Sequence, residues 1–154
     1  MKKAILILFV AFSAITMQAQ ELEWHTDLQK AVAVSNKTKK PLLLFFTGSD
    51  WCGWCMRLQK EVLKTPEFAK WAKDNVVLVE LDYPRKTPQT DAIKTQNAQL
   101  GSFFQIQGYP TVVITKAAKD KEGKISFDKL GQTGYVAGGP TAWLAGANQI
   151  ITNK

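Results

Sequence analysis

The only two cysteines of this 154-residue chain share one Cys-x-x-Cys window, Cys52-Gly53-Trp54-Cys55. A thiolate attacks disulfides, and a thiol does so poorly. The window follows a short apolar run, Leu42 to Phe46, and the broken stretch Thr47-Gly48-Ser49-Asp50. It therefore falls where a strand ends and a helix begins. The first turn of a helix carries unsatisfied N–H groups and partial positive charge, and both favour the thiolate. Cys52, nearer the helix start, is expected to be the exposed nucleophile. Cys55, one turn along, is expected to be the buried resolving thiol. A Cys-x-x-Cys near a βαβ pattern reads as a redox pair. A four-cysteine zinc site would need a second pair, and His25 is the only histidine. A structural staple is the other alternative. So short a loop removes little chain entropy, yet an oxidising setting would keep even an inert pair closed.

The flanking pattern supplies elements to hold this window. Thr26 or Asp27 can cap a helix through Leu28, Ala31, Val32 and Val34, apolar at three- and four-residue steps. Lys37 to Lys40 and Pro41 end it. The continuous run Leu42 to Phe46 suits a strand buried on both faces. A helix near Gly53 carries Met56, Leu58, Val62 and Leu63, and Thr65-Pro66 starts a second helical piece with a cap and an N1 proline. Val76 to Asp82 is a second strand. A polar excursion bracketed by Pro84 and Pro88 follows, then a helix from about Gln89 to Phe104. Thr111 to Thr115 and Ile125 to Leu130 are further strands, joined by a hairpin turn around Gly123. Gly138-Gly139-Pro140 opens a last helix through Trp143, Leu144 and Ile150. Helices alternating with strands, then a final ββα, predict a three-layer α/β domain with a mixed central sheet flanked by helices.

Composition narrows the function classes. At 45% hydrophobic and 21% charged residues the chain is globular rather than disordered, and its length fits one domain. The net charge is +7, with Lys37, Lys39, Lys40 and Lys116, Lys119, Lys121, Lys124 as its densest groups. Neither group interleaves aromatics in a nucleic-acid motif, so no nucleic-acid partner is expected. There is no phosphate-binding loop and no dinucleotide fingerprint. Electrons must then come from another dithiol protein. Lys2 and Lys3, the apolar Ala4 to Ala14, and Ala19 after a more polar stretch form the three-part pattern of a secretory signal peptide over residues 1–19. The apolar run is shorter than the roughly 20 residues a spanning helix needs. An exported domain over residues 20–154 is expected, periplasmic if the cell is Gram-negative.

The stretch KPLLLFFTGSDWCGWC, followed by GYPTVVIT, resembles the thioredoxin family, and more closely its exported members with a Trp-Cys-Gly-Trp-Cys site. The resemblance covers about Leu22 to Ile151. It implies a thioredoxin-like fold and a thiol–disulfide oxidoreductase acting on protein thiols and disulfides. It implies no cofactor beyond the Cys52–Cys55 disulfide itself. On the residues alone Pro110 could equally begin an edge strand. The resemblance implies a cis Tyr109–Pro110 bond facing the sulfurs, with the Tyr109 backbone free to pair with an extended client. It also implies that Trp51 makes an apolar contact surface and that Gly53 and Trp54, between the cysteines, are open to the client and tune the potential. The expected direction is reduction or isomerisation. The expected partner is an upstream dithiol donor, membrane-embedded where reducing power must cross an inner membrane, and the expected state is a monomer. A peptide-binding module with an inert disulfide is the alternative.

Two departures from the family pattern stand out. The buried acid that thioredoxin carries six residues before its first cysteine is replaced by Phe46. Glu80 could point inward beneath the site, although a solvent-facing strand position is the expectation for a glutamate. Asp50 lies in the loop. Met56 replaces the lysine that often follows the second cysteine, with Arg57 and Lys60 further along.

Overall fold

A computed structural model describes residues 22–152. The expected signal peptide over residues 1–19 lies outside the described residues. The elements are β1 (Trp24–His25), α1 (Leu28–Thr38), β2 (Leu42–Thr47), α2 (Gly53–Leu58), a π-helical turn (Gln59–Leu63), α3 (Pro66–Asn75), β3 (Val77–Asp82), α4 (Asp91–Phe103), β4 (Thr111–Lys119), β5 (Ile125–Thr133) and α5 (Gly139–Thr152). The sheet order is β1-β3-β2-β4-β5. β1, β3 and β2 run parallel, while β4 is antiparallel to both β2 and β5. This is the mixed three-layer architecture expected.

All six residues of β2 are buried. Because successive side chains point to opposite faces, its apolar run serves two cores. Leu43 and Phe45 join Leu78, Val112 and Ile114 beneath α2, α3 and α5, in the cluster that contains both cysteines. Leu42, Leu44 and Phe46 join Val77, Val79, Leu81 and Val113 beneath α1 and α4. Each such large side chain contributes about 1.5–3 kcal/mol by burial, so β2 is the strand least free to shift. The cysteines are carried from its end.

Local sequence explains the boundaries. Asp27 Oδ1 accepts the N–H groups of Gln29 and Lys30 at 2.8 and 3.2 Å, which caps α1. Lys39 turns left-handed at φ 60° before Pro41. Thr65 caps α3 with Pro66 in its first turn. Three differences have physical causes. The helix expected from Gly53 widens into a π turn at Gln59–Leu63, which places Val62 and Leu63 in the core beside Leu58. β4 and β5 run to Lys119 and Thr133, because the hairpin extends their ladder beyond the apolar positions. Its register shifts between Ile114 and Thr115. The two-residue β1 was not expected. It brings Trp24 against Phe45 and Phe68 and leaves the His25 side chain only 12% exposed, 3.7 Å from Glu23.

Candidate active site

The sulfurs of Cys52 and Cys55 are joined, with Cα atoms 5.2 Å apart. Cys52 is the N-cap of α2. It sits in extended backbone, and its Sγ accepts the Cys55 N–H at 3.2 Å. The orphan donor of the first helical turn is thus aimed at the sulfur nearest the helix start. Cys55 is fully buried and Cys52 is 6% exposed. Cys52 is the less buried of the two, but the structure corrects the exposed position expected for it: it is a buried residue at the edge of the core. Gly53 faces open space, since a side chain there would meet nothing within 4 Å.

The residues before Cys52 are fastened to the end of β3 and the segment after it. Ser49 donates its N–H and its hydroxyl to the Asp82 carboxylate at 2.8 and 2.5 Å. Asp50 accepts the N–H groups of Arg85, Lys86 and Thr87 at 2.9, 2.7 and 3.0 Å. These bonds, that of Arg85 foremost, hold its carboxyl down at about 2. Trp51 donates its indole N–H to the Tyr83 carbonyl at 2.8 Å. A Cβ on Gly48 would run into that indole, so the tight approach there requires glycine. The far face of Trp51 meets Tyr109 edge-on at 5.7 Å. Tyr109 packs on Tyr83 at 5.2 Å, and the Tyr109–Pro110 bond is cis. Trp51, Cys52, Tyr109 and Pro110, separated in sequence, therefore share one end of the sheet.

On the other flank Trp54 is 56% exposed and leans on Tyr135 at 5.1 Å. Arg57 lies over both rings, at 5.4 and 5.0 Å. Glu61 ties the group together. It accepts from Arg57 at 2.8 Å and from the Tyr135 hydroxyl at 2.6 Å, and both bonds hold its carboxyl below the usual range. Tyr135, Tyr83 and Arg85 were not singled out from sequence. Arg85 lay within the polar excursion between Pro84 and Pro88, where a cation reads as solvated surface.

The acid expectations need correction. Phe46 is on the opposite face of the sheet, against Phe104 at 6.2 Å. Counting back along the chain misses this, because each residue of the strand flips the face. Phe45 is the side chain on the cysteine side, and Glu80 is its partner across the β2–β3 ladder. Glu80 is not solvent-facing. It is half-buried in a cavity of about 180 Å³ with Trp24, Phe45, Gln59, Leu63 and Lys64. Burial, with Asp82 nearby, pushes its carboxyl up. Met56 is exposed. Among the described residues no group of three or more His, Cys, Asp or Glu could hold a metal ion.

A disulfide closed across the start of a helix, beside a cis X–Pro bond at the head of a neighbouring strand, defines a protein built for thiol–disulfide exchange. Residues 23–117 match the family model described as thioredoxin-like. The chain belongs to the thioredoxin-like family. Over 119 residues it is 34% identical to the disulfide bond reductase DsbH of Chlamydia pneumoniae, covering 77% of this chain and 71% of that one. It is 38% identical over 118 residues to the thioredoxin-related protein DsbJ of the same organism, covering 73% of this chain. The chain spans only 34% of the length of DsbJ. The solved structure of a DsbH oxidoreductase superposes with a TM-score of 0.73 at 32% identity over 86% of each chain. The chemistry this site supports is thiol–disulfide exchange, with the Cys52–Cys55 disulfide as its redox group.

Proposed function

We propose that the chain is an exported thiol–disulfide oxidoreductase that reduces or isomerises disulfides in protein clients. The carrying observation is the Cys55 N–H aimed at Cys52 Sγ. In the dithiol state the same donor stabilises a thiolate on Cys52, and charge-assisted bonds of this kind are the stronger ones.

The Cys52 thiolate attacks one sulfur of a client disulfide. A Cys52–client bond forms, the client bond breaks, and the released client sulfur leaves as a thiolate and takes a proton from solvent. Cys55, deprotonated, then attacks Cys52 Sγ. The mixed bond breaks and the second client thiolate departs. Two electrons have passed to the client, and the Cys52–Cys55 bond has closed. An upstream dithiol protein reopens it by the reverse exchange, membrane-embedded where electrons must cross an inner membrane. In isomerisation a client thiol displaces Cys52 from the mixed disulfide before Cys55 does. Trp51, Gly53, Trp54, Tyr109 and Pro110 form the client-binding surface, and the Tyr109 backbone pairs with an extended client segment.

The reducing direction is supported by the name of DsbH, a disulfide bond reductase. Export is supported by the Lys2-Lys3 and Ala4 to Ala14 pattern, with residues 1–19 as the leader and 20–154 as the acting, monomeric domain. Insulin reduction in dithiothreitol tests the reading. The wild-type chain accelerates it and Cys52→Ser abolishes the acceleration. Cys55→Ala accumulates mixed disulfides through Cys52. Unchanged turnover in Cys52→Ser overturns the assignment. Equilibration with glutathione fixes the direction. A potential near about −270 mV marks a reductant, and one near about −120 mV an oxidant.

A further inference from the structure

Each tryptophan flanking Cys52 carries a guanidinium on its ring, but the two cations are not equivalent. Arg57, over Trp54, is answered by Glu61 at 2.8 Å. Arg85 lies 4.1 Å from the centroid of the Trp51 ring, closer than Arg57 is to Trp54, and makes no ion pair among the described residues. The acids nearest to it are engaged elsewhere. Asp50 spends its oxygens on the N–H groups of residues 85–87 and the Thr87 hydroxyl. Asp82 receives Ser49. Asp50 therefore fixes the backbone that presents Arg85, and though ionised it makes no ion pair with the Arg85 guanidinium. The outcome is an exposed cation, held in place by its own backbone and by a ring, one residue from the nucleophile.

We propose that Arg85 is a specificity-determining residue that receives the carboxylate of an acidic side chain beside the client cysteine. A guanidinium stacked by its face keeps its N–H edge free, and that edge matches a carboxylate in two-point fashion. The Trp51 ring that carries Arg85 also meets the Tyr109 ring at 5.7 Å, so a client strand paired with the Tyr109 backbone would bring the side chains beside its cysteine toward Arg85. The inference rests on the exchange reading above and names its preferred clients: extended segments with Glu or Asp flanking a disulfide-bonded cysteine.

The test uses the reduced full chain and three disulfide-linked peptides that differ only in carrying Glu, Gln or Lys beside the cysteine. At low ionic strength the Glu peptide oxidises the reduced chain with a second-order rate constant about fivefold larger than the Lys peptide, the scale of a partly exposed ion pair. The ratio falls toward one as salt rises through the range where the screening length shortens below about 10 Å. Arg85→Ala removes most of the preference and Arg85→Glu inverts it, with near-ultraviolet circular dichroism confirming the fold. Lys86→Gln removes the same formal charge from the same loop but keeps the stacked guanidinium, and it retains most of the preference. Equal rates for the three peptides with the wild-type chain overturn the proposal. Equal loss in Arg85→Ala and Lys86→Gln overturns it too, since loop charge and not Arg85 would then do the reading. The wild-type reaction with uncharged hydroxyethyl disulfide separates the two levels. Its absence strikes the exchange reading, while its presence with equal peptide rates strikes only Arg85.

Discussion

The two sides of Cys52 are built from different interactions. On the Trp51 side, the ring contacts with Tyr109 and Arg85 are backed by directional bonds that end on backbone or on a half-buried carboxylate: Ser49 to Asp82, Asp50 to the N–H groups of residues 85–87, Trp51 to the Tyr83 carbonyl. On the Trp54 side, the exposed Trp54 and Arg57 lean on the half-buried Tyr135 through ring and cation–π contacts, joined by hydrogen bonds to Glu61. Directional bonds fix position, because they tie the residues before Cys52 to Asp82 at the end of β3 and to the segment that follows it. Ring contacts between exposed groups tolerate sliding and rotamer change. The nucleophile thus has a fixed wall on one side and a compliant one on the other. A reagent that must hold its own sulfur in place yet accept varied client surfaces needs both.

The comparison breaks most visibly at Trp51. Trp51→Ala removes a half-buried ring, its bond to Tyr83 and the support of Tyr109. We expect a loss of about 3 kcal/mol, toward the lower end for truncating a large aromatic. It is read as a lower urea midpoint at unchanged slope. Trp54→Ala, on the compliant side, should leave that midpoint within about 0.5 kcal/mol, as surface substitutions do. Equal losses at the two tryptophans would erase the distinction between the walls.

Next in size is the release of residues 85–87. The folded Asp50 carboxyl titrates at about 2, against 3.8 for an unhindered one. A carboxyl depressed by folding gives its stabilisation in full above the higher value and loses it as pH falls through the lower one. Amide hydrogen exchange of Arg85, Lys86 and Thr87 should therefore stay protected down to about pH 4 and become unprotected toward pH 2. Asp50→Ala should show the unprotected pattern at every pH. Protection that persists in Asp50→Ala would mean that the loop is held by something other than this carboxylate.

How far these features were legible in the sequence follows the same division. Cys52 and Cys55, the strand Leu42 to Phe46 and the Thr65-Pro66 helix start are local signals, and each element lies where its residues placed it, whereas the cis Tyr109–Pro110 bond followed from the family resemblance and not from the residues alone. The fixed wall was not legible. Asp50 meets N–H groups 35 to 37 residues away, and no residue type marks a backbone donor as the partner of a distant acid. Phe46 misled because counting residues ignores the alternation of faces. Only the register of β2 on β3 shows that Phe45 and Glu80 lie on the cysteine side. Trp24–His25 is too short to show any periodicity, and Tyr135 reaches Trp54 from a loop that carries no motif.

The smallest expected effect lies at Tyr135. Tyr135→Phe keeps the ring against Trp54 and under Arg57 but removes the hydroxyl that Glu61 accepts. Glu61 keeps its bond to Arg57, so its carboxyl should move back only part of the way toward its ordinary value. A carboxyl so depressed is stabilising above that value and loses its contribution as pH falls. The variant should therefore differ slightly from wild type at pH 7 and approach it as falling pH protonates Glu61. The direct readout is the fluorescence of Trp54 in a chain whose other indoles are held constant. Its anisotropy should drop a little at pH 7, as the partner ring gains freedom, while the urea midpoint stays put. A large drop in the midpoint would show that this flank carries weight in the fold, and that Trp54 is fixed as firmly as Trp51.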